Sequence, residues 1–128
     1  MTMQQKSVLI VDDDKFLVRL YEKKFVADGW SATTALSAGE ALQKLRDGLL
    51  PSVIMFDLIM PGIDGAHFLA SLRTEKLAPR AALVALTNQS EPESVERIKA
   101  LGVDGYIVKA SSIPSEVVAI VRTFAEKK

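Results

Sequence analysis

Val53-Ile54-Met55-Phe56-Asp57 runs into Leu58-Ile59-Met60-Pro61-Gly62-Ile63-Asp64-Gly65. Four apolar residues end on one carboxylate, and a Pro-Gly turn then stops the run. A short continuous apolar run closed by turn residues predicts a strand buried on both faces, the kind found in parallel sheets. Ligands of such sheets sit outside the carboxyl ends of the strands. Asp57 is expected to stand at that end.

Upstream, Ser7-Val8-Leu9-Ile10-Val11 is a second apolar run that ends in acid, Asp12-Asp13-Asp14. Leu17, Leu20, Tyr21 and Phe25 then recur at helical spacing, and Gly29 is placed to end that helix. Trp30 to Ala35 predicts a short strand, with Trp30 packing at its start. Ser37 and Glu40 form a capping-box pair ahead of Ala38, Ala41, Leu42, Leu45 and Leu49, and Gly48 and Pro51 close the segment. Downstream, Asp64 can cap a helix over Ala66 to Arg73 with Phe68, Leu69 and Leu72 inside. Ala81 to Leu86 predicts a fourth strand ending at Thr87. Ser90-Glu91-Pro92-Glu93 opens a helix with Val95, Ile98 and Leu101 inside, ended by Gly102. Asp104 to Val108 predicts a fifth strand ending at Lys109. Ile113, Val117, Ile120, Val121 and Phe124 mark a last helix with Pro114 in its first turn. Strict strand-helix alternation predicts parallel pairing with right-handed crossovers, an open doubly wound (βα)5 α/β sandwich.

The totals fit one domain over 1–128, with an ordered core over about 6–126. Sixteen basic and sixteen acidic residues cancel, so no general field draws in nucleic acid or an anionic membrane. The absence of cysteine excludes disulfides, thiolate metal sites and a cysteine nucleophile. The longest strongly apolar run, Ala81 to Leu86, is far short of the roughly 20 residues that span a bilayer. The polar stretch Met1 to Lys6 does not resemble a secretory signal. A cytoplasmic domain is expected.

In a parallel sheet the strand ends share one edge. Here that edge gathers Asp12-Asp13-Asp14, Ser37, Asp57, Thr87 and Lys109. Taken singly, each has a bland reading: Asp13 or Asp14 as a helix cap, Asp57 and Thr87 as turn residues, Lys109 as a surface cation. Together they carry chemistry. Crowded carboxylates repel, so one takes a proton or a cation neutralises them. Mg²⁺, a hard ion with oxygen ligands, is the natural neutraliser and also organises phosphoryl oxygens. A lysine and a hydroxyl can bind the remaining oxygens, and a carboxylate beside the metal can be the nucleophile, giving an aspartyl phosphate.

Four motifs in order at the strand ends resemble the response-regulator receiver domain, the CheY-like module of two-component signalling, over essentially the whole chain. They are Val11-Asp12-Asp13, Asp57 before Met60-Pro61-Gly62-Ile63-Asp64-Gly65, Leu86-Thr87, and Asp104-Gly105-Tyr106-Ile107-Val108-Lys109. The resemblance implies a flavodoxin-like sheet of order 2-1-3-4-5. It implies that Asp57 accepts phosphate from a phosphohistidine of a sensor histidine kinase or histidine phosphotransfer protein. Asp13 and Asp57 would bind Mg²⁺ directly, Asp12 mainly through water, and the Ile59 carbonyl would be a further ligand. Lys109 would pair with Asp57 at rest and with the phosphoryl group afterwards. Thr87 would donate its hydroxyl to that group, and Tyr106 would turn inward as the partner switch residue. The face of helix 4, strand 5 and helix 5 would then change for an output partner or attached domain. A phosphorylation-dependent dimer is compatible with that implication, and no external substrate is expected.

Three positions depart from the family pattern. Ala110 follows Lys109 where proline with a cis bond is usual, Asn88 follows Thr87 where a small residue is common, and Ile59 is bulky beside the site. Asn88 and Ile59 are expected to tune the phosphoryl lifetime, and Ala110 leaves room for a pseudo-receiver that only docks partners. An aspartyl-nucleophile phosphatase would need a second Asp two residues after the first, where Ile59 stands. A nucleotide or flavin binder would need a glycine-rich loop where Asp12-Asp13-Asp14 stands. His67 is not expected to carry phosphate, and Lys23-Lys24 and Lys127-Lys128 read as solvated charges.

Overall fold

Every residue of β3 (Val53–Asp57) is buried, as an apolar run covered on both faces requires. The strand is central in a five-stranded sheet with β1 (Ser7–Val11), β2 (Ser31–Ala35), β4 (Ala82–Thr87) and β5 (Gly105–Val108). All neighbours pair parallel, in the order β2-β1-β3-β4-β5. The crossovers are α1 (Lys15–Ala27), α2 (Ala38–Arg46), α3 (Gly65–Thr74) and α4 (Pro92–Ala100), and α5 (Pro114–Lys127) follows β5. This computed structural model describes residues 6–60, 62, 64–88, 92–109 and 112–127, and all their side chains except those of 92–95. The turn residues Pro61 and Ile63, the helix start Ser90-Glu91, the Val95 side chain, Ala110 and Lys128 lie outside the described residues. Among those described, no helix is long and apolar enough to cross a membrane.

Pleating divides the core in two. Leu9, Val11, Ile54, Phe56 and Ala85 point toward α2, α3 and α4, where Leu42, Leu45, Phe68, Leu69, Leu72 and Ile98 meet them. Val8, Ile10, Met55, Val84 and Leu86 point the other way, onto Val18, Tyr21 and Phe25 of α1 and Val117, Val118 and Val121 of α5. Trp30 belongs to this second layer, edge-on to Phe25, and its indole N–H donates to Asp28 at 3.1 Å. It is a packing residue, as its sequence position predicted.

Several helix faces differ from the predicted ones by a rotation. In α1 the buried face is Val18, Tyr21 and Phe25, and Leu17 and Leu20 are only half-buried. In α5, Val118 is buried in place of Ile120, which is 37% exposed, and Ile113 lies just before the helix, 57% exposed. Leu49 packs on the core from beyond the end of α2 rather than from the helix. The capping pair of α2 is also offset: Ser37 Oγ accepts from Glu40 N–H, but the Glu40 carboxylate takes the N–H of Leu36 instead of that of Ser37.

Register positions the site. Val11 pairs with Phe56, Asp57 with Leu86, and Thr87 with Val108, so residues 12, 57, 87 and 109 arrive together at the carboxyl edge. At the amino edge, Ser7 N–H donates to Ser52 Oγ at 3.2 Å, and Ser52 N–H donates to Ser7 Oγ at 3.0 Å. On the outer side of β2, Lys44 Nζ donates to the Thr34 carbonyl at 2.5 Å.

Candidate functional site

The end of β3 delivers Asp57, 7% exposed, into a cleft of about 360 Å³ lined by Asp12, Asp13, Asp14, Ile59, Thr87, Asn88 and Lys109. Two of the three acids after β1 settle into local roles. Asp14 caps α1, accepting from the N–H groups of Phe16 and Leu17 at 3.0 and 3.1 Å. Asp12 is fully buried, and its Oδ1 accepts the Asp14 N–H at 3.0 Å. Asp13 is left exposed at the mouth. The capping reading therefore holds for Asp14, and Asp13 stays available.

Lys109 reaches back from the end of β5 to bridge the two buried acids. Its ammonium lies 2.9 Å from Asp57 Oδ2 and 2.7 Å from Asp12 Oδ2. The contact with Asp57 is a hydrogen bond, whereas Asp12 Oδ2 has no aligned donor among the described residues. Burial is the largest influence on Asp12 and leaves its pKa raised, although Lys109 opposes it. Burial pushes Lys109 down, but the two carboxylates outweigh it and hold the ammonium above its ordinary value.

Carboxylate oxygens of Asp12, Asp13 and Asp57 all lie within 4.8 Å of one another. Close acidic oxygens, one of them buried without an aligned donor, fit a hard divalent cation such as Mg²⁺. Ile59, expected as a carbonyl ligand, contacts Asp57 through its N–H, which donates to Asp57 Oδ1 at 3.1 Å, while its side chain is 67% exposed at the rim. Thr87 is buried at the end of β4, and Asn88 is exposed beside it. Tyr106 is half-buried against the α2–α3–α4 layer, paired with Ala85 two residues before Thr87.

The loop after β3 is seated by Gly65. A Cβ on this residue would lie 2.7 Å from the Leu58 Cα and 3.2 Å from the Asp57 carbonyl oxygen, so α3 can begin directly on the backbone that carries Asp57. Asp64 caps this helix by accepting the His67 N–H at 3.0 Å. His67 itself is an exposed partner of Asp64, 2.9 Å away through Nδ1, and does not line the cleft.

Sequence reasoning placed Tyr21 on the inner face of its helix but missed its charged setting, and it missed the exposure of Phe16 and Ile113. Tyr21 of α1 is buried, with its phenol pKa raised by burial first and then subject to the charges of Lys109, Asp12, Asp57 and Asp14. Phe16, the second residue of α1, is 74% exposed, and Ile113, just before α5, is 57% exposed.

Residues 8–122 match the response regulator receiver domain family. The chain belongs to that family. It is similar to the probable transcriptional regulator ycf27 of Pyropia yezoensis, 34% identical over 96% of this chain and 49% of the relative. It is also similar to the phosphate regulon transcriptional regulatory protein PhoB of Rhizobium meliloti, 30% identical over 84% of this chain and 47% of the relative. This receiver domain thus spans about half the length of the curated relatives it matches. Among solved structures it resembles the chemotaxis response regulator CheY4 of Vibrio cholerae, with a TM-score of 0.85 and 26% identity over 94% of this chain and 99% of that one. Fold and family agree with the reading of the four motifs, and the acidic trio of the receiver can hold a metal.

Proposed function

We propose that this receiver is a phosphorylation-dependent switch in which Asp57 takes a phosphoryl group from the phosphohistidine of a sensor histidine kinase or histidine phosphotransfer protein. The observation that carries the reading is the Lys109 ammonium held between Asp57 and Asp12 at the mouth of a three-carboxylate cluster. An Asp57 carboxylate oxygen forms the new bond to phosphorus. The phosphorus–nitrogen bond of the donor breaks, and its electron pair leaves with the imidazole, which departs neutral once protonated. When bound, Mg²⁺ supplies the positive charge that gathers the phosphoryl oxygens beside these carboxylates. Asp12, Asp13, Asp57 and the Ile59 carbonyl are the groups to hold it.

Lys109 moves its contact from the Asp57 carboxylate to the phosphoryl group, and the Thr87 hydroxyl donates to another oxygen. The product adds about 1.5 to 2 negative charges at the cleft. Thr87 is drawn toward them, Tyr106 follows, and the face of α4, β5 and α5 changes for an output partner or an attached domain. A dimer through that face would use the 37%-exposed Ile120. The domain promotes its own phosphorylation and dephosphorylation, acts on no external substrate, and works in the cytoplasm. Ile59 in the cleft lining, Phe16 near the start of α1 and Ile113 just before α5 are exposed apolar residues that follow the carboxyl ends of β3, β1 and β5, which supports a protein donor on this side of the sheet.

Incubation with Mg²⁺ and a small phosphodonor, followed by intact mass, tests this. One added phosphoryl group is expected, absent in Asp57→Asn and after chelation. An unmodified parent protein would instead make the chain a docking module.

A further inference from the structure

The helix between the phosphoacceptor and α4 is held at both ends by unusual contacts. At its start, Gly65 lies directly on the Leu58 and Asp57 backbone, and its N–H donates to the Leu58 carbonyl at 2.9 Å. Phe68, Leu69 and Leu72 bury the middle of α3 in the core. At its far end, the Arg73 guanidinium donates to the carbonyl of Leu101, just past the last residue of α4. Helix-end carbonyls lack partners within the helix, and a cation there also meets the negative end of the dipole. Gly102 makes the space: its φ is +78°, and a Cβ on it would lie 2.8 Å from Arg73 Nη2.

The rest of α4 is lightly tied. Among its described side chains, only Ile98 is buried; Glu96, Arg97, Lys99 and Ala100 are exposed. Among the described side chains, the buried Ile98, the half-buried Leu101 and the Arg73 guanidinium are what tie down the end of this helix. The guanidinium contact is exposed and polar, so it can break without opening the core. It occurs together with the Lys109–Asp57 pair, the arrangement of an unphosphorylated site.

We infer that Arg73 is a positioning residue that clasps the C-terminal end of α4 in the unphosphorylated arrangement and thereby opposes switching. The inference rests on the phosphoacceptor reading. It adds a route from Asp57 to α4 along α3, separate from Thr87 and Tyr106. A contact made in only one of two linked states biases phosphoryl binding by its own free energy, and linkage makes the effect reciprocal.

The test uses beryllofluoride with Mg²⁺ as the phosphoryl mimic, titrated into the parent, Arg73→Ala and Arg73→Lys, with thermal melting recorded for each. Arg73→Ala should bind the mimic roughly threefold to tenfold more tightly. Its amides at the end of α4 should exchange faster with solvent, and Arg73→Lys, which keeps a donor, should fall between. Gly102→Ala is the second variant; its Cβ displaces the guanidinium and also strains the backbone at this φ of +78°. It is therefore compared with Arg73→Ala/Gly102→Ala, and it should shift affinity the same way only while Arg73 is present. Unchanged or weaker binding of the mimic in these variants, whatever their melting temperatures, overturns the inference. A parent that takes up no mimic fails the phosphoacceptor reading itself, so the two failures are distinct.

Discussion

The two edges of the sheet are built from the same strands and solve opposite problems. At the amino edge, Ser7 and Ser52 satisfy each other through reciprocal N–H to hydroxyl bonds, and Ser52 N–H also lies 2.9 Å from the Ser7 carbonyl. All of these groups are neutral and partnered. At the carboxyl edge, two buried acids share one ammonium and a third acid stands at the mouth. Burial raises the pKa of one of them, and one of its oxygens has no aligned donor among the described residues. The fold concentrates opposed charge where an incoming cation and phosphoryl group would rebalance it, and closes neutral polar groups on one another at the other edge.

The largest test of this contrast is Lys109→Ala. Removing the cation leaves Asp12 and Asp57 facing each other, and metal-free stability should fall by about 3 kcal/mol. Added Mg²⁺ should recover most of it, and a denaturant titration with and without Mg²⁺ reads both. At the other edge, Ser52→Ala should cost about 1 kcal/mol with phosphoryl acceptance unchanged. Equal damage to acceptance would erase the distinction between the edges.

A pH series sharpens it further. Because the folded pKa of Asp12 lies above its unfolded value, its stabilising contribution is complete below the ordinary aspartate pKa and is lost as pH rises through the raised one. The difference in metal-free stability between the parent and Asp12→Asn should therefore shift against the parent across that acidic window. Mg²⁺ needs the ionised form, so its affinity should weaken as pH falls through the same window, and calorimetric titration reads that. The smallest effects belong to the rim. Ile59→Ala and Asn88→Ala should each change the phosphoryl lifetime by less than about tenfold, under about 1.4 kcal/mol in the barrier. Timed loss of the mass adduct decides it, and identical lifetimes would remove both residues from the chemistry.

The strands and the site were legible because each rests on a local signal. A buried strand is a contiguous apolar run, and a site at its end is the next polar residue, so Asp12, Asp57, Thr87 and Lys109 followed from Val11, Phe56, Leu86 and Val108. Strand order came from resemblance, since alternation alone leaves several sheets available. Helix rotation was less legible. In α1 the residues 17, 18, 20, 21 and 25 are all apolar or aromatic, and each step turns about 100°, so only packing against β1, β2 and α5 selects Val18 over Leu17. The same ambiguity exchanged Val118 for Ile120. Contacts made by a long side chain with a distant carbonyl, as Arg73 with Leu101, leave no periodic trace in sequence.

Lys44 bears on how copies of this domain meet. β2 is an outer strand, and an outer strand presents unpaired carbonyls that another chain can zip onto. Lys44 already occupies the Thr34 carbonyl and sits 3.5 Å from Glu40. A second strand arriving there would have to strip an ammonium from two oxygens before forming its first rung. Edge-to-edge pairing along that margin is thereby disfavoured.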